Sequence, residues 1–125
     1  MGGGQRADGN GALGRWGEQV AAEHLARAGL RVLDRNWRAG RLGELDLVCR
    51  EGLDLVFVEV KTRSSLAFGS PAEAITPAKA ARLRRLGGAW LAAHDDAAVD
   101  VRFDLVGVLR APDGSVEVTH LRGVL

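Results

Sequence analysis

One run governs how this chain can fold: Leu53-Asp54-Leu55-Val56-Phe57-Val58-Glu59-Val60-Lys61. It is long, β-branched and mostly apolar, as a central strand buried on both faces is. Yet it ends on two ionised side chains, Glu59 and Lys61. Ionised groups in a central strand are costly unless they are paired or bound to metal. The fold must bury the middle of this run and still give its charged end a partner.

The preceding segment supplies a candidate. Gly43-Glu44-Leu45-Asp46-Leu47-Val48-Cys49 alternates like a strand, and Glu51-Gly52 makes a tight connection to the central run. The two are expected to form an antiparallel hairpin. Alternation puts Glu44, Asp46 and Val48 on one face, and Phe57, Glu59 and Lys61 together on the neighbouring strand. A hairpin then brings Asp46 close to Glu59. Two converging carboxylates repel, and a hard divalent cation removes the conflict.

The rest of the chain predicts what packs on this hairpin. A helix is expected from about Leu13 to Ala28, with Asn10 as N-cap and Gly29 as stop. Leu13, Trp16, Val20 and His24 share one strip; Gly14, Glu18, Ala21 and Leu25 share the adjoining one. Arg31 to Trp37 reads as a strand, followed by a basic turn, Arg38-Ala39-Gly40-Arg41. Residues 64–75 read as a loop. Thr76-Pro77 is a helix start, and the helix runs to about Ala93 with Leu83, Leu86 and Trp90 facing inward. Lys79, Arg82 and Arg85 form a separate stripe at three-residue spacing. Val99 to Leu109 is the next strand, and Pro112-Asp113-Gly114 turns it into Val116 to His120. The order α-β-β-β-α-β-β predicts an α/β fold, a mixed central sheet flanked by helices.

Composition narrows the function classes. The 125 residues suit one domain over 12–125 behind a flexible, Gly-rich tail over 1–11. No apolar run approaches the roughly 20 residues that cross a bilayer, and the tail has no secretory core. No membrane partner is expected. Cys49 is the only cysteine, which rules out an internal disulfide and suits a cytoplasmic setting. His24, His94 and His120 are too scattered for the usual zinc spacings. The net charge is only +1, but it is blocked: +3 over residues 1–42, −3 over 43–75, +4 over 76–92 and −3 over 93–125. An acidic centre between basic segments can hold a cation beside phosphates. Ordinary solvated faces would give the same pattern.

Magnesium prefers oxygen ligands and keeps several waters. Asp46, Glu59 and the backbone carbonyl of Val60 are the candidate ligands, with manganese as a substitute metal. Lys61 is then placed to orient water and stabilise developing negative charge. Taken alone, a Glu-x-Lys tripeptide reads equally as a plain salt bridge. Glu18 is a candidate third carboxylate, because Gly14 and Gly17 let its helix approach the sheet; an exposed or capping role is the alternative. Glu44 can join the site or pair with Arg38 or Arg41. Asp104 reads as an ion-pair partner of Arg102. Trp16, Trp37 and Trp90 sit in apolar patterns and read as core. Neither a serine nucleophile elbow nor a phosphate-binding glycine loop occurs.

These segments together resemble a known family. Gly17-Glu18, Asn36-Trp37-Arg38, Gly43-Glu44-Leu45-Asp46-Leu47, Val56-Phe57-Val58-Glu59-Val60-Lys61-Thr62-Arg63, Lys79 and Arg102-Phe103-Asp104 are similar, in the same order, to the YraN-type family of uncharacterised bacterial proteins. That family is related to Holliday junction resolvases in the restriction-endonuclease-like PD-(D/E)xK superfamily. The resemblance covers nearly the whole chain after about Leu13. It implies a restriction-endonuclease-like sheet, Asp46 and Glu59 as metal ligands, Lys61 as catalytic lysine and Glu18 as the first-helix acidic residue. Leu45 stands where the superfamily label has Pro. Lys79, Arg82, Arg85, Arg38 and Arg63 are the candidate nucleic-acid contacts. The expected activity is magnesium-dependent endonuclease cleavage of phosphodiesters, with DNA, including branched DNA, as substrate and a homodimer as active form. A non-catalytic nucleic-acid-binding module and a protein-interaction adaptor that keep the fold are the alternatives.

Overall fold

The computed structural model describes residues 11–64, 75–95 and 100–125. The expected N-terminal tail apart from Gly11, the Asn10 cap, most of the 64–75 loop and the Val99 strand start lie outside the described residues. The elements are α1 (Ala12–Arg27), β1 (Arg31–Arg38), β2 (Glu44–Glu51), β3 (Asp54–Arg63), α2 (Pro77–Ala93), β4 (Val101–Arg110) and β5 (Val116–Leu121). The expected order is the observed one. The basic turn after β1 contains a short 3-10 segment, Gly40–Leu42.

The five strands lie in the sheet in chain order. β1–β2, β2–β3 and β4–β5 are antiparallel. β3 and β4 are parallel, with Leu55 opposite Val101 and Lys61 opposite Gly107. The parallel pair follows from α2, since parallel neighbours need a crossover connection rather than a tight turn.

The two-sided apolar run of β3 decides where the helices go. Val56 and Val58 pack with Ala21, Ala22 and Leu25 of α1. Leu55 and Phe57 pack with Leu83, Leu86 and Trp90 of α2. Residues of opposite parity face opposite sides of a sheet, so the two helices cover its two faces. Each fully buried side chain of this size contributes about 1.5–3 kcal/mol. A glycine lets each helix come close. A Cβ on Gly17 would stand 1.8 Å from Thr62 Oγ1, and one on Gly87 would stand 2.9 Å from Phe103. Thr76 caps α2 as expected, its Oγ1 accepting the Lys79 N–H at 3.1 Å.

One expectation about β2 fails. Strict alternation places Val48 on the face of Glu44 and Asp46 and opposite to Leu45. Instead Leu45 and Val48 pack together on the α2 side, while Leu47 and Cys49 pack on the α1 side. The period breaks around Asp46, where the ladder between β2 and β3 ends; its last pair is Leu47 with Val58. The physical reason is a substitution of partners. The Asp46 carboxylate accepts the Val60 N–H at 2.8 Å, doing with a side chain what a ladder carbonyl would otherwise do.

Candidate active site

The strands part at Asp46, and carboxylates gather in the gap. Glu18 from α1, Glu44 at the start of β2 and Asp46 each offer one oxygen, and these oxygens lie within 4.8 Å of one another. Glu18 gets there because Gly17 seats α1 directly on Thr62 of β3. It is steadied by Asn36, whose Nδ2 donates to Glu18 Oε1 at 3.0 Å. Asn36 has φ +50°, a left-handed conformation that Asn tolerates better than most residues. Asn36 and Asp46 stand at the same level, between the paired residues Arg35–Leu47 and Trp37–Leu45.

Burial pushes the Asp46 pKa up, and the Glu59 carboxylate adds to this. The Val60 hydrogen bond opposes the rise, while Glu18 and Glu44 reinforce it. The net result lies well above the ordinary carboxylate range. Crowded, half-buried oxygens of this kind form a hard donor set suited to a divalent cation.

Glu59 is arranged differently from the expectation. Sequence reasoning pairs it with Asp46 as a metal ligand. Its carboxylate lines the same cavity, but Lys79 of α2 holds it, with Nζ to Oε2 at 2.5 Å. The tight group of three contains Glu44 instead. The cavity is about 420 Å³ and is lined by Arg15, Glu18, Asn36, Arg38, Glu44, Asp46, Glu59, Lys79, Arg82 and Leu83. Lys61 is exposed and lines an adjoining cavity of about 250 Å³, which shares Glu18, Asp46, Glu59 and Lys79 and also includes Val60.

The basic candidates separate in space. Arg38 and Arg82 line the carboxylate cavity. Lys79, expected on phosphate, sits on Glu59. Arg85 is exposed on α2 and is not among the cavity's lining residues. Arg63 lines a third cavity with Lys61 and Leu13, farther along β3. Two lining residues escaped sequence reasoning. Arg15 lies three residues before Glu18 and therefore shares its helix face. Asn36 was visible only as part of a motif, and its left-handed backbone had no signature of its own.

The remaining polar residues belong to the framework. Asp104 is 1% exposed and accepts from Arg102 Nε at 2.9 Å and Nη2 at 3.1 Å. It also meets His120 Nε2 at 2.8 Å and the Gly123 N–H at 2.9 Å. Burial pushes its pKa up, but Arg102, Gly123 and His120 outweigh that and hold it below the ordinary value. This is the ion pair expected of Arg102 and Asp104. Trp90 is buried and donates to Asp34 at 3.1 Å, and Trp16 and Trp37 pack against the two core clusters. Burial raises the Cys49 thiol to about 12, so it is no nucleophile. No helix among the described residues is long and apolar enough to cross a membrane.

Comparison with known proteins agrees with the resemblance read from the motifs. Residues 17–108 match the model of uncharacterised protein family UPF0102. A UPF0102 protein of Frankia alni is 62% identical over 112 residues, covering 90% of this chain and 92% of its own. One from Beutenbergia cavernae is 60% identical over 113 residues, covering 90% and 95%. One from Streptomyces coelicolor is 52% identical over 124 residues, covering 98% and 95%. Motifs, element order and near full-length similarity lead to one assignment: the chain belongs to the UPF0102 family.

Proposed function

We propose that this protein is a divalent-cation-dependent nuclease that hydrolyses phosphodiester bonds in DNA. The observation that carries the reading is the convergence of Glu18, Glu44 and Asp46 in the gap between β2 and β3. Three elements of the fold are bent or thinned to bring them there. Gly17 thins α1, Asn36 takes a left-handed turn in β1, and Asp46 leaves the ladder.

The cavity residues divide the work. Glu18, Glu44 and Asp46, with Glu59 beside them, are the donors for magnesium or manganese. When bound, such a cation supplies positive charge beside the phosphate and acidifies water. Lys61 reaches the adjoining cavity from the strand that carries Glu59, and there it orients a water or stabilises the negative charge that develops on the phosphate. Arg15, Arg38 and Arg82 come from three different elements and grip the phosphates on either side, which fixes the strand over the carboxylates. Arg63, beyond Lys61, extends the same basic track.

The test is cleavage of duplex, single-stranded and four-way DNA with manganese or with chelator. The parent is expected to cut only with the metal. Lys61→Met keeps the side-chain stem and removes the charge; it is expected to bind DNA and cut about 10²–10³-fold more slowly. A parent that binds these DNAs and never cuts them would leave a binding module. A Lys61→Met variant that cuts at the parental rate would remove the lysine from the mechanism.

A further inference from the structure

The cavity lining carries four carboxylates (Glu18, Glu44, Asp46 and Glu59) and four cations (Arg15, Arg38, Lys79 and Arg82), so its formal charge is zero. Within this balanced set one contact is very close, Lys79 Nζ to Glu59 Oε2 at 2.5 Å. It sets an ammonium on a carboxylate that the strand pattern assigns to the metal.

We propose that Lys79 is a resident counter-ion of Glu59, which competes with an incoming divalent cation for that carboxylate. The inference rests on the metal-site reading above and adds to it a control on loading. Three observations support it. First, the backbone of Lys79 is anchored, its N–H bound by the Thr76 cap, while the ammonium sits on a four-carbon stem long enough to swing to a new partner. Second, Lys79 stands in the first turn of α2, which contains no acidic residue. A cation there opposes the helix dipole, so Glu59 from the sheet supplies the negative charge that this helix start lacks. Third, the contact is a point contact to one oxygen, with the lysine side chain 26% exposed and the glutamate 12%. The ammonium is thus the more solvent-open partner, and water can take it up when a cation claims the carboxylate.

The exchange has a consequence for substrate. Once displaced, the ammonium is free beside the cavity and can take a phosphate oxygen. Cation loading and phosphate binding are then coupled through one side chain, each favouring the other.

The experiment is a manganese titration, by calorimetry and by electron paramagnetic resonance, of the parent, Lys79→Met and Lys79→Gln. Both variants are expected to bind manganese about two- to fivefold more tightly, since the competing contact is gone. Binding by the variants with none by the parent would support the proposal more strongly still. If the parent binds manganese and both variants bind it equally or more weakly, the counter-ion role is overturned and the metal site stands. If neither parent nor variants bind, the metal-site reading itself falls, and the proposal with it. A second measurement needs no variant to fold well. The chain has two lysines, Lys61 and Lys79, so their side-chain carbon and nitrogen resonances are simple to separate. Saturating magnesium is expected to shift the Lys79 signals; signals that stay in place at saturation overturn the exchange.

Discussion

Gly17→Ala tests the packing that delivers Glu18. A Cβ at position 17 lies 1.8 Å from Thr62 Oγ1, 2.7 Å from Cγ2 and 2.8 Å from Cβ. Rotating the threonine side chain eases the first two contacts only in part and leaves the third, so α1 must lift from β3. Overpacking of this kind costs about 1–3 kcal/mol, and contacts this short put the cost at the upper end. Replacing Gly by Ala in a helix returns about 1 kcal/mol. The net loss is about 2 kcal/mol, or roughly 8 °C in Tm for a domain of this size. Gly88 is the control on the other helix. Nothing lies within 4 Å of its Cβ position, so Gly88→Ala is expected to stabilise by up to about 1 kcal/mol. Adding Thr62→Ala to Gly17→Ala removes two of the three contacts and is expected to recover about 1 kcal/mol in a double-mutant cycle. Calorimetric melting and denaturant titration read all of these. Manganese binding should weaken in Gly17→Ala, because Glu18 moves with α1. A Gly17→Ala protein that melts at or above the parent, with no coupling to Thr62, would refute the close seating of α1 and the delivery of Glu18 built on it.

Two further substitutions probe buried charge. The folded pKa of Asp46 lies above its unfolded value of about 3.9; charging it therefore costs stability as pH rises between the two, and the full penalty applies above the folded value. Asp46→Asn keeps an acceptor for the Val60 N–H. In chelator it is expected to melt about 4–8 °C above the parent at pH 7 (about 1–2 kcal/mol), to lose that advantage near pH 3, and to show no manganese-induced stabilisation. An unchanged Tm at pH 7 would mean that Asp46 is not under repulsion. Asp104 has the opposite sign. Its pKa is held below the unfolded value, so its contribution is present above about pH 4 and is lost as pH falls through the folded value. Asp104→Asn leaves Arg102 and His120 facing a neutral group and is expected to cost about 3 kcal/mol at pH 7. The deficit should shrink in acid, and a deficit independent of pH would place the loss in packing instead.

The framework is written in the amino-acid pattern. Two-sided hydrophobicity in Leu55–Val58 requires cover on both faces, and helical periodicity before and after it supplies two helices. The Thr76-Pro77 start of α2 and the hairpin between β2 and β3 follow from local chemistry that needs no tertiary partner. Asp46, Glu18, Glu59 and Lys61 were also legible as one group, because charged residues in strand and helix faces that are otherwise apolar must find partners. Which partner each one takes is set by how the elements meet in space. Alternation describes a regular strand, and β2 stops being regular at Asp46, where a side chain replaces a ladder carbonyl across to Val60. That one bond depends on two strands at once. Around it Glu44 joins the carboxylate group and Glu59 meets Lys79, a residue from a helix twenty positions later. Arg15 and Asn36 enter the cavity for the same reason. Their roles depend on how closely α1 sits against the sheet and on where β1 turns left-handed, distances and angles that periodicity does not encode.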